Sequence, residues 1–288
     1  MKRIAILGCE NSHADMFLGF IKDTHEYSDV EVVGVYSHEP EAARTLSEKH
    51  GVKVLENYAD AVGKIDGLVV TARHGDNHYK YAAPYIESGI PMFIDKPITI
   101  NEDEAVEFMR RTRAAGVKIC GGSSLKHTDE IRALRAEVLE GVDGETVGGI
   151  VRAPIATASE HGGFYFYAQH LCEMVLEPFG RYPRSVIATT SGPTNNVIFR
   201  YDGFDVLGTY CNDSDAYFAA RFTKGGTSGG AVAFGECFRR EFREFYDLLS
   251  GGDQNISYED FISPVFVMNA IYRSFESGKE EMVKEFSL

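Results

Sequence analysis

Over roughly its first 120 residues the chain alternates short aliphatic runs with amphipathic segments, the rhythm expected of parallel strands joined by right-handed helical crossovers. The strand candidates are residues 3–7, 31–36, 67–71, 91–94 and 118–120. Between them, residues 39–50 have Pro40 near the start and Gly51 just past the end, and residues 102–115 stop at Gly116, so both segments are expected to be helices. Residues 77–88 end at Gly89 but contain Pro84, which kinks a helix there or delays its start.

Beyond residue 122 the rhythm changes. A helix over residues 128–140 is followed by longer β-rich runs at 146–152, 184–190, 196–201, 205–211 and 217–222, which read as a mainly antiparallel sheet. Asp202-Gly203 marks a hairpin turn, since both residue types tolerate positive φ. Helices over 168–179, 238–249 and 258–277 are expected on one face of that sheet, with the stretch from Gly225 to Gly230 a flexible loop. The fold class is therefore α/β: an N-terminal Rossmann-like doubly wound parallel sheet over residues 1–122, then a C-terminal α/β domain with a large, mainly antiparallel sheet over 123–288. A length of 288 residues suits two such domains.

Charge narrows the partners. With 29 Lys plus Arg against 43 Asp plus Glu, the net charge of -14 disfavours nonspecific binding to nucleic acid or an anionic membrane. Cys9, Cys120, Cys172, Cys211 and Cys237 are scattered, with no CxxC pair and no zinc-finger spacing, so they are expected to be idle thiols and no metal is expected. The run from Ile4 to Leu7 is too short for a signal peptide and no stretch approaches membrane-spanning length, which makes a cytoplasmic location the default expectation.

The first strand runs into Gly8-Cys9-Glu10-Asn11-Ser12-His13, where a Rossmann domain carries its phosphate-binding turn. Only the first of three glycines is present; Glu10 and His13 occupy the other two places. Taken alone, the segment reads equally well as a plain strand-to-helix turn. The Glu10 carboxylate repels a diphosphate unless it turns away, whereas Asn11, Ser12 and the helix N-terminus offer donors. At the end of the second strand, where NAD sites usually place an acid, stands Ser37, followed by His38. A neutral hydroxyl beside an imidazole removes the repulsion against a 2′-phosphate, so NADP is at least as plausible as NAD; Ser37 also serves as a helix cap.

Phe93-Ile94-Asp95-Lys96-Pro97 ends an apolar strand in an acid-Lys-Pro triplet, and here the chain resembles the Gfo/Idh/MocA (glucose-fructose oxidoreductase/inositol dehydrogenase) family, whose signature is usually Glu-Lys-Pro. Thr71-Ala72 and His78 match the stretch before the fourth crossover, and residues 258–278 match the terminal helix. The resemblance implies that Lys96 hydrogen-bonds both a substrate hydroxyl and the cofactor ribose, and that Thr71, Ala72, Arg73, His74, His78 and Asp95 line the cofactor side. Arg73 and His74 replace a Pro-Asn pair common in the family. His74 and His78 flank Asp76 at a spacing that suits a metal, but the resemblance makes His78 part of the cofactor rim.

The family's second signature is a helical His preceded four residues earlier by Asp and often following a Gly pair. Gly162-Gly163-Phe164-Tyr165-Phe166-Tyr167-Ala168-Gln169-His170 supplies the His, with Glu173 downstream, so the resemblance makes His170 the base that takes a hydroxyl proton. The departure is Phe166, which stands where the Asp belongs, and the glycines are one residue closer than usual. Tyr165 or Tyr167 is expected to replace the acid, with Tyr167 a candidate proton donor. Glu160-His161 and Lys126-His127 fall on expected connections near the cleft mouth. No GxSxG, HExxH or P-loop pattern is present.

The resemblance thus implies an NAD(P)-dependent oxidoreductase acting on a CH–OH group of a sugar, polyol or related small polar substrate, assembled as a homo-oligomer, a dimer or tetramer. Two alternatives stand beside it: a redox-assisted lyase or glycosidase of the same fold, and a catalytically inactive ligand-binding or regulatory relative, motivated by Glu10 and Phe166.

Overall fold

A computed structural model describes residues 1–288 and resolves two compact units, one of Met1–Gly122 with Phe238–Phe261 and Leu288, the other of Ser123–Cys237 with Ile262–Ser287. In the first, β1 (Lys2–Leu7), β2 (Val30–Tyr36), β3 (Gly67–Val70), β4 (Met92–Asp95) and β5 (Ile119–Gly122) form a parallel sheet in the order β2-β1-β3-β4-β5. All five expected strands are present. A single parallel bridge from Val35 to Val54 extends the β2 edge. Strands this apolar need cover on both faces, and it comes from α1 (Ser12–Asp23), α2 (Pro40–His50), α3 (Asp76–Ala82) and α4 (Glu102–Ala114). Pro84 accounts for the end of α3: the chain tightens there into a 3-10 helix, Ala83–Ser88, with the proline in its first turn, where a missing N–H costs nothing.

The second unit begins with α5 (Asp129–Glu140), β6 (Thr146–Pro154) and α6 (Tyr165–Phe179), followed by β7 (Ser185–Ser191), β8 (Thr194–Arg200), β9 (Asp205–Cys211), β10 (Tyr217–Thr223) and β11 (Thr227–Val232). The chain then forms α7 (Cys237–Leu249), α8 (Tyr258–Ser277) and the short β12 (Glu281–Met282). The seven-stranded sheet runs β11-β10-β6-β9-β8-β7-β12, and every pairing is antiparallel except β6 with β9. Val151, Val186, Val197, Phe199, Val206 and Ala219 point to one face and pack with Leu171, Val175, Val267 and Ile271 of α6 and α8 in one core.

Two sequence expectations are corrected and a third, the Asp202-Gly203 turn, is met. The Gly225 to Gly230 stretch is mostly edge strand β11 rather than a loop; Gly229, at φ +113°, lies where a Cβ would sit 2.2 Å from the Ala219 carbonyl oxygen, so glycine here permits pairing instead of breaking it. The hairpin between β8 and β9 does turn at Asp202-Gly203, but only Gly203 takes positive φ (+89°). Helix α7 packs not on the antiparallel sheet but in the first unit, where Phe242, Phe245 and Leu248 join Phe17, Tyr27 and Phe93 in a common core. The second domain expected over 123–288 therefore gives up Phe238–Phe261.

Candidate active site

The turn after β1 is built by close approach of strand ends. Gly8 has φ +83°, and a Cβ there would lie 2.3 Å from the Ala72 backbone nitrogen, so β1 and the segment after β3 touch only because Gly8 has no side chain. The Thr71 hydroxyl donates to the Gly8 carbonyl at 2.9 Å, and the amides of Gly8 and Cys9 both donate to the Tyr36 carbonyl at the end of β2, at 2.7 and 3.2 Å. Asn11 caps α1, its Oδ1 accepting from the His13 amide at 2.8 Å, while its Nδ2 donates to the Thr71 carbonyl at 2.7 Å. Ser12, the first residue of α1, is exposed.

Glu10 turns inward. Its side chain is wholly buried; Oε2 accepts from the Ser37 hydroxyl at 2.6 Å, Oε1 accepts from the Arg73 amide at 3.1 Å, and His38 Nδ1 stands 3.8 Å from Oε1. The residue in the second-glycine place is thus a strut across the top of β1, tying the ends of β2 and β3. Ser37 has spent its one proton on Glu10, and its oxygen accepts the Glu39 amide at 3.0 Å as the turn into α2 begins. His38 is exposed.

At the end of β4, Asp95 is buried to 0% exposure and accepts from two donors, the Lys96 amide at 2.7 Å and Asn11 Nδ2 at 3.3 Å, while His13 Nδ1 stands 2.6 Å from its Oδ2. Burial alone raises a carboxyl pKa, but the charge and hydrogen bond of His13, then Lys96 and His78, hold Asp95 below the ordinary value. His13, in the third-glycine place, anchors α1 to β4 through this contact and packs edge-on to Phe238 with ring centroids 5.0 Å apart. Lys96 is buried and its pKa is lowered, first by burial and also by Arg73, against the opposing pull of Asp95 and of Glu241 on α7. Its peptide bond to Pro97 is cis. Glu241, itself fully buried, was not singled out by sequence reasoning, because nothing in the sequence says which sheet α7 will cover.

His74 and His78 do not converge. His78 is fully buried behind the turn, its Nε2 donating to the Ala72 carbonyl at 2.8 Å, and burial lowers its pKa. His74 Nδ1 instead accepts the Asp76 amide at 3.3 Å. His78 therefore braces the β3 turn from behind, whereas the expectation put it on a rim.

In the second unit, His170 lies on α6, buried, with Nδ1 2.7 Å from the Oγ of Ser123 just after β5. Tyr167 packs beside it, ring centroids 5.2 Å apart. The Tyr165 hydroxyl donates elsewhere, to Asn269 Oδ1 at 3.0 Å, and Phe166 packs at a tilt against His161 and edge-on to Tyr167. Glu173 is turned away from the imidazole, accepting from Gln169 at 3.1 Å and from Arg181 at 2.9 Å. Lys126 is buried in a 3-10 turn, Ser124–His127, and Glu160 is exposed on the loop before α6. Ser123 is the residue that sequence reasoning missed: the only signal for it was its place directly after a parallel strand.

Residues 2–122 match the model of an oxidoreductase family with an NAD-binding Rossmann fold, Gfo/Idh/MocA. The chain is similar to that family over less than half of its length. Its fold is that of myo-inositol dehydrogenase from Corynebacterium glutamicum (16% identity, TM-score 0.84, covering 99% of this chain and 100% of that one) and of scyllo-inositol dehydrogenase from Lactobacillus casei (16%, 0.84, 98% and 98%). It is also that of GenD2 from gentamicin A biosynthesis, solved in complex with NAD (14%, 0.80, 99% and 97%). A provisionally named UDP-kanosamine synthase oxidoreductase subunit of Amycolatopsis mediterranei is 22% identical over 133 residues, 46% of this chain; the match spans only 36% of that relative's length. No helix is long and apolar enough to cross a membrane.

Proposed function

We propose that the protein is an NAD-dependent dehydrogenase that interconverts a carbinol and a carbonyl on a cyclitol, sugar or related polyol. The observation that carries this reading is Lys96, a buried lysine whose amide donates to Asp95 at the carboxyl edge of a parallel strand, where ligands of doubly wound sheets bind. The folds shared with two inositol dehydrogenases support the substrate class.

The turn suits a dinucleotide despite its missing glycines. Glu10 directs its charge inward and away from the α1 N-terminus, where the exposed Ser12 would receive a pyrophosphate. Thr71, Ala72 and Arg73 would border the ribose side. Glu10 also favours NAD: it puts a carboxylate at the end of β2, the place where NAD sites hold an acid, and Ser37 has no proton left for a 2′-phosphate. On this ground NAD is the coenzyme we propose. A bound nicotinamide supplies the acceptor or donor of hydride. Lys96 would stabilise negative charge developing on a substrate oxygen, and His170 would hydrogen-bond a substrate oxygen.

A second copy of the chain is proposed to cover the open face of the large sheet. Ile187, Ile198, Leu207, Ile150 and Ala220 align in one cross-strand row through five strands, and Leu207 and Phe218 are 45% and 37% exposed.

The test is calorimetric titration with NAD and NADP, followed by a panel of inositols, sugars and their keto forms read at the reduced-nicotinamide absorbance. Uptake of NAD, turnover of a polyol pair and loss of turnover in Lys96→Ala and His170→Ala support the reading. Failure to bind either nucleotide refutes it.

A further inference from the structure

We propose that Ser123 is the positioning residue of His170, standing in for the acid absent at Phe166, and that it fixes the neutral imidazole with its proton on Nε2. This rests on the reading above only in giving His170 a substrate to meet. Ser123 is fully buried and its hydrogen bonding is closed: Oγ accepts the Leu125 amide at 3.3 Å and lies 2.7 Å from His170 Nδ1. A hydroxyl has one proton to give and two lone pairs. With one lone pair on the Leu125 amide, the arrangement that uses the proton sends it to Nδ1, giving a line from amide to hydroxyl to imidazole. The opposite tautomer makes Oγ accept twice and strands a buried hydroxyl proton. The ring proton of neutral His170 therefore sits on Nε2.

A carboxylate partner does the reverse. Accepting only, it demands a proton on Nδ1 and leaves Nε2 bare as a base. Replacing it by Ser123 makes neutral His170 a hydrogen-bond donor, suited to a carbonyl oxygen. When that carbonyl is reduced, hydride arrives at carbon from a reduced nicotinamide, and the Nε2–H hydrogen bond stabilises the negative charge that develops on oxygen. That oxygen then takes its proton from solvent water, releasing hydroxide, and the ring stays neutral with its proton on Nε2. The site is thus poised toward a carbonyl substrate.

The measurement is long-range proton–nitrogen correlation NMR on the nitrogen-15-labelled full-length protein at alkaline pH, with the His170 signals identified by their loss in His170→Gln. Nitrogen shifts showing protonated Nε2 and bare Nδ1 are expected, with Ser123→Ala moving the ring toward a mixture of tautomers and Ser123→Thr restoring the single form. In turnover, Ser123→Ala is expected to lower kcat for carbonyl reduction about tenfold while KM and NADH affinity change less than about twofold, again with rescue by threonine. A wild-type ring protonated on Nδ1, or a ring and kcat unmoved by Ser123→Ala, overturns the proposal. The wild-type spectrum decides even if the alanine variant misfolds, and it does so whether or not a nucleotide binds.

Discussion

Glu10→Gln removes one buried charge and keeps the shape of the side chain. The proximity of Glu10 to Ser37 sets the size of the effect on coenzyme choice. A 2′-phosphate held by Ser37 would place an oxygen about 2.7 Å from its Oγ, and Oγ is 2.6 Å from Glu10 Oε2, so the two anions stand no more than about 5 Å apart. At an effective dielectric constant of about 20, each unit of phosphate charge then costs about 3 kcal/mol; if screening halves this, about 1.5 kcal/mol or tenfold in affinity remains. Wild-type protein should therefore bind NADH at least about tenfold more tightly than NADPH, and Glu10→Gln should bring the ratio near unity by improving NADPH alone. Fluorescence titration of the full-length protein with each reduced nucleotide measures both constants, and thermal unfolding checks that the variant stays folded. The variant weakens two charge-assisted bonds, to Ser37 and Arg73, and should lose about 1–2 kcal/mol of stability. A wild-type ratio that the substitution leaves in place would refute the argument, because no other buried carboxylate contacts Ser37.

Gly8→Ala forces a Cβ into the Ala72 backbone at positive φ and should cost about 3 kcal/mol, seen as a fall of roughly 10 °C in Tm with nucleotide binding lost alongside. Asp95→Asn leaves His13 and Lys96 without their counter-charge and should destabilise by about 3 kcal/mol at neutral pH. Because the folded Asp95 pKa lies below its unfolded value near 3.9, its contribution is complete above that value and lost as pH falls through the folded one. Acid titration of Tm in the variant should be correspondingly flatter below about pH 4. Phe242→Ala should cost about 4 kcal/mol, since the ring is buried among Phe17, Tyr27 and Phe245; an unchanged Tm would refute the packing of α7 in the first unit. Leu207→Arg, in the centre of the open sheet face, should shift light-scattering mass to that of a monomer without unfolding the chain.

What the sequence made legible divides along physical lines. The inner strands were readable because β3, β4 and the Ile4–Leu7 part of β1 are buried throughout and so read as apolar runs, and Asp95-Lys96 was readable because a charged pair closing such a run lies at the sheet's edge. The partners of those charges were not, since hydrogen bonding is a property of separation in space: Glu10 meets Ser37 across 27 residues and Arg73 across 63, and no local pattern encodes either contact. Glu10 therefore looked like an obstacle to a diphosphate when its fold-determined role is to tie strand ends. The same logic explains α7, whose Phe242, Phe245 and Leu248 announce a buried face without naming its neighbour. It also explains Phe166: the resemblance implied an acid four residues before His170, whereas the hydroxyl that meets the imidazole belongs to Ser123, 47 residues upstream. Departures from a family's motif are thus poor evidence for lost activity until the space around them has been inspected. Here both departures, at the second glycine and at the acid, are met by a hydrogen-bonded partner from another strand end: Glu10 by the Ser37 hydroxyl after β2, and His170 by the Ser123 hydroxyl after β5.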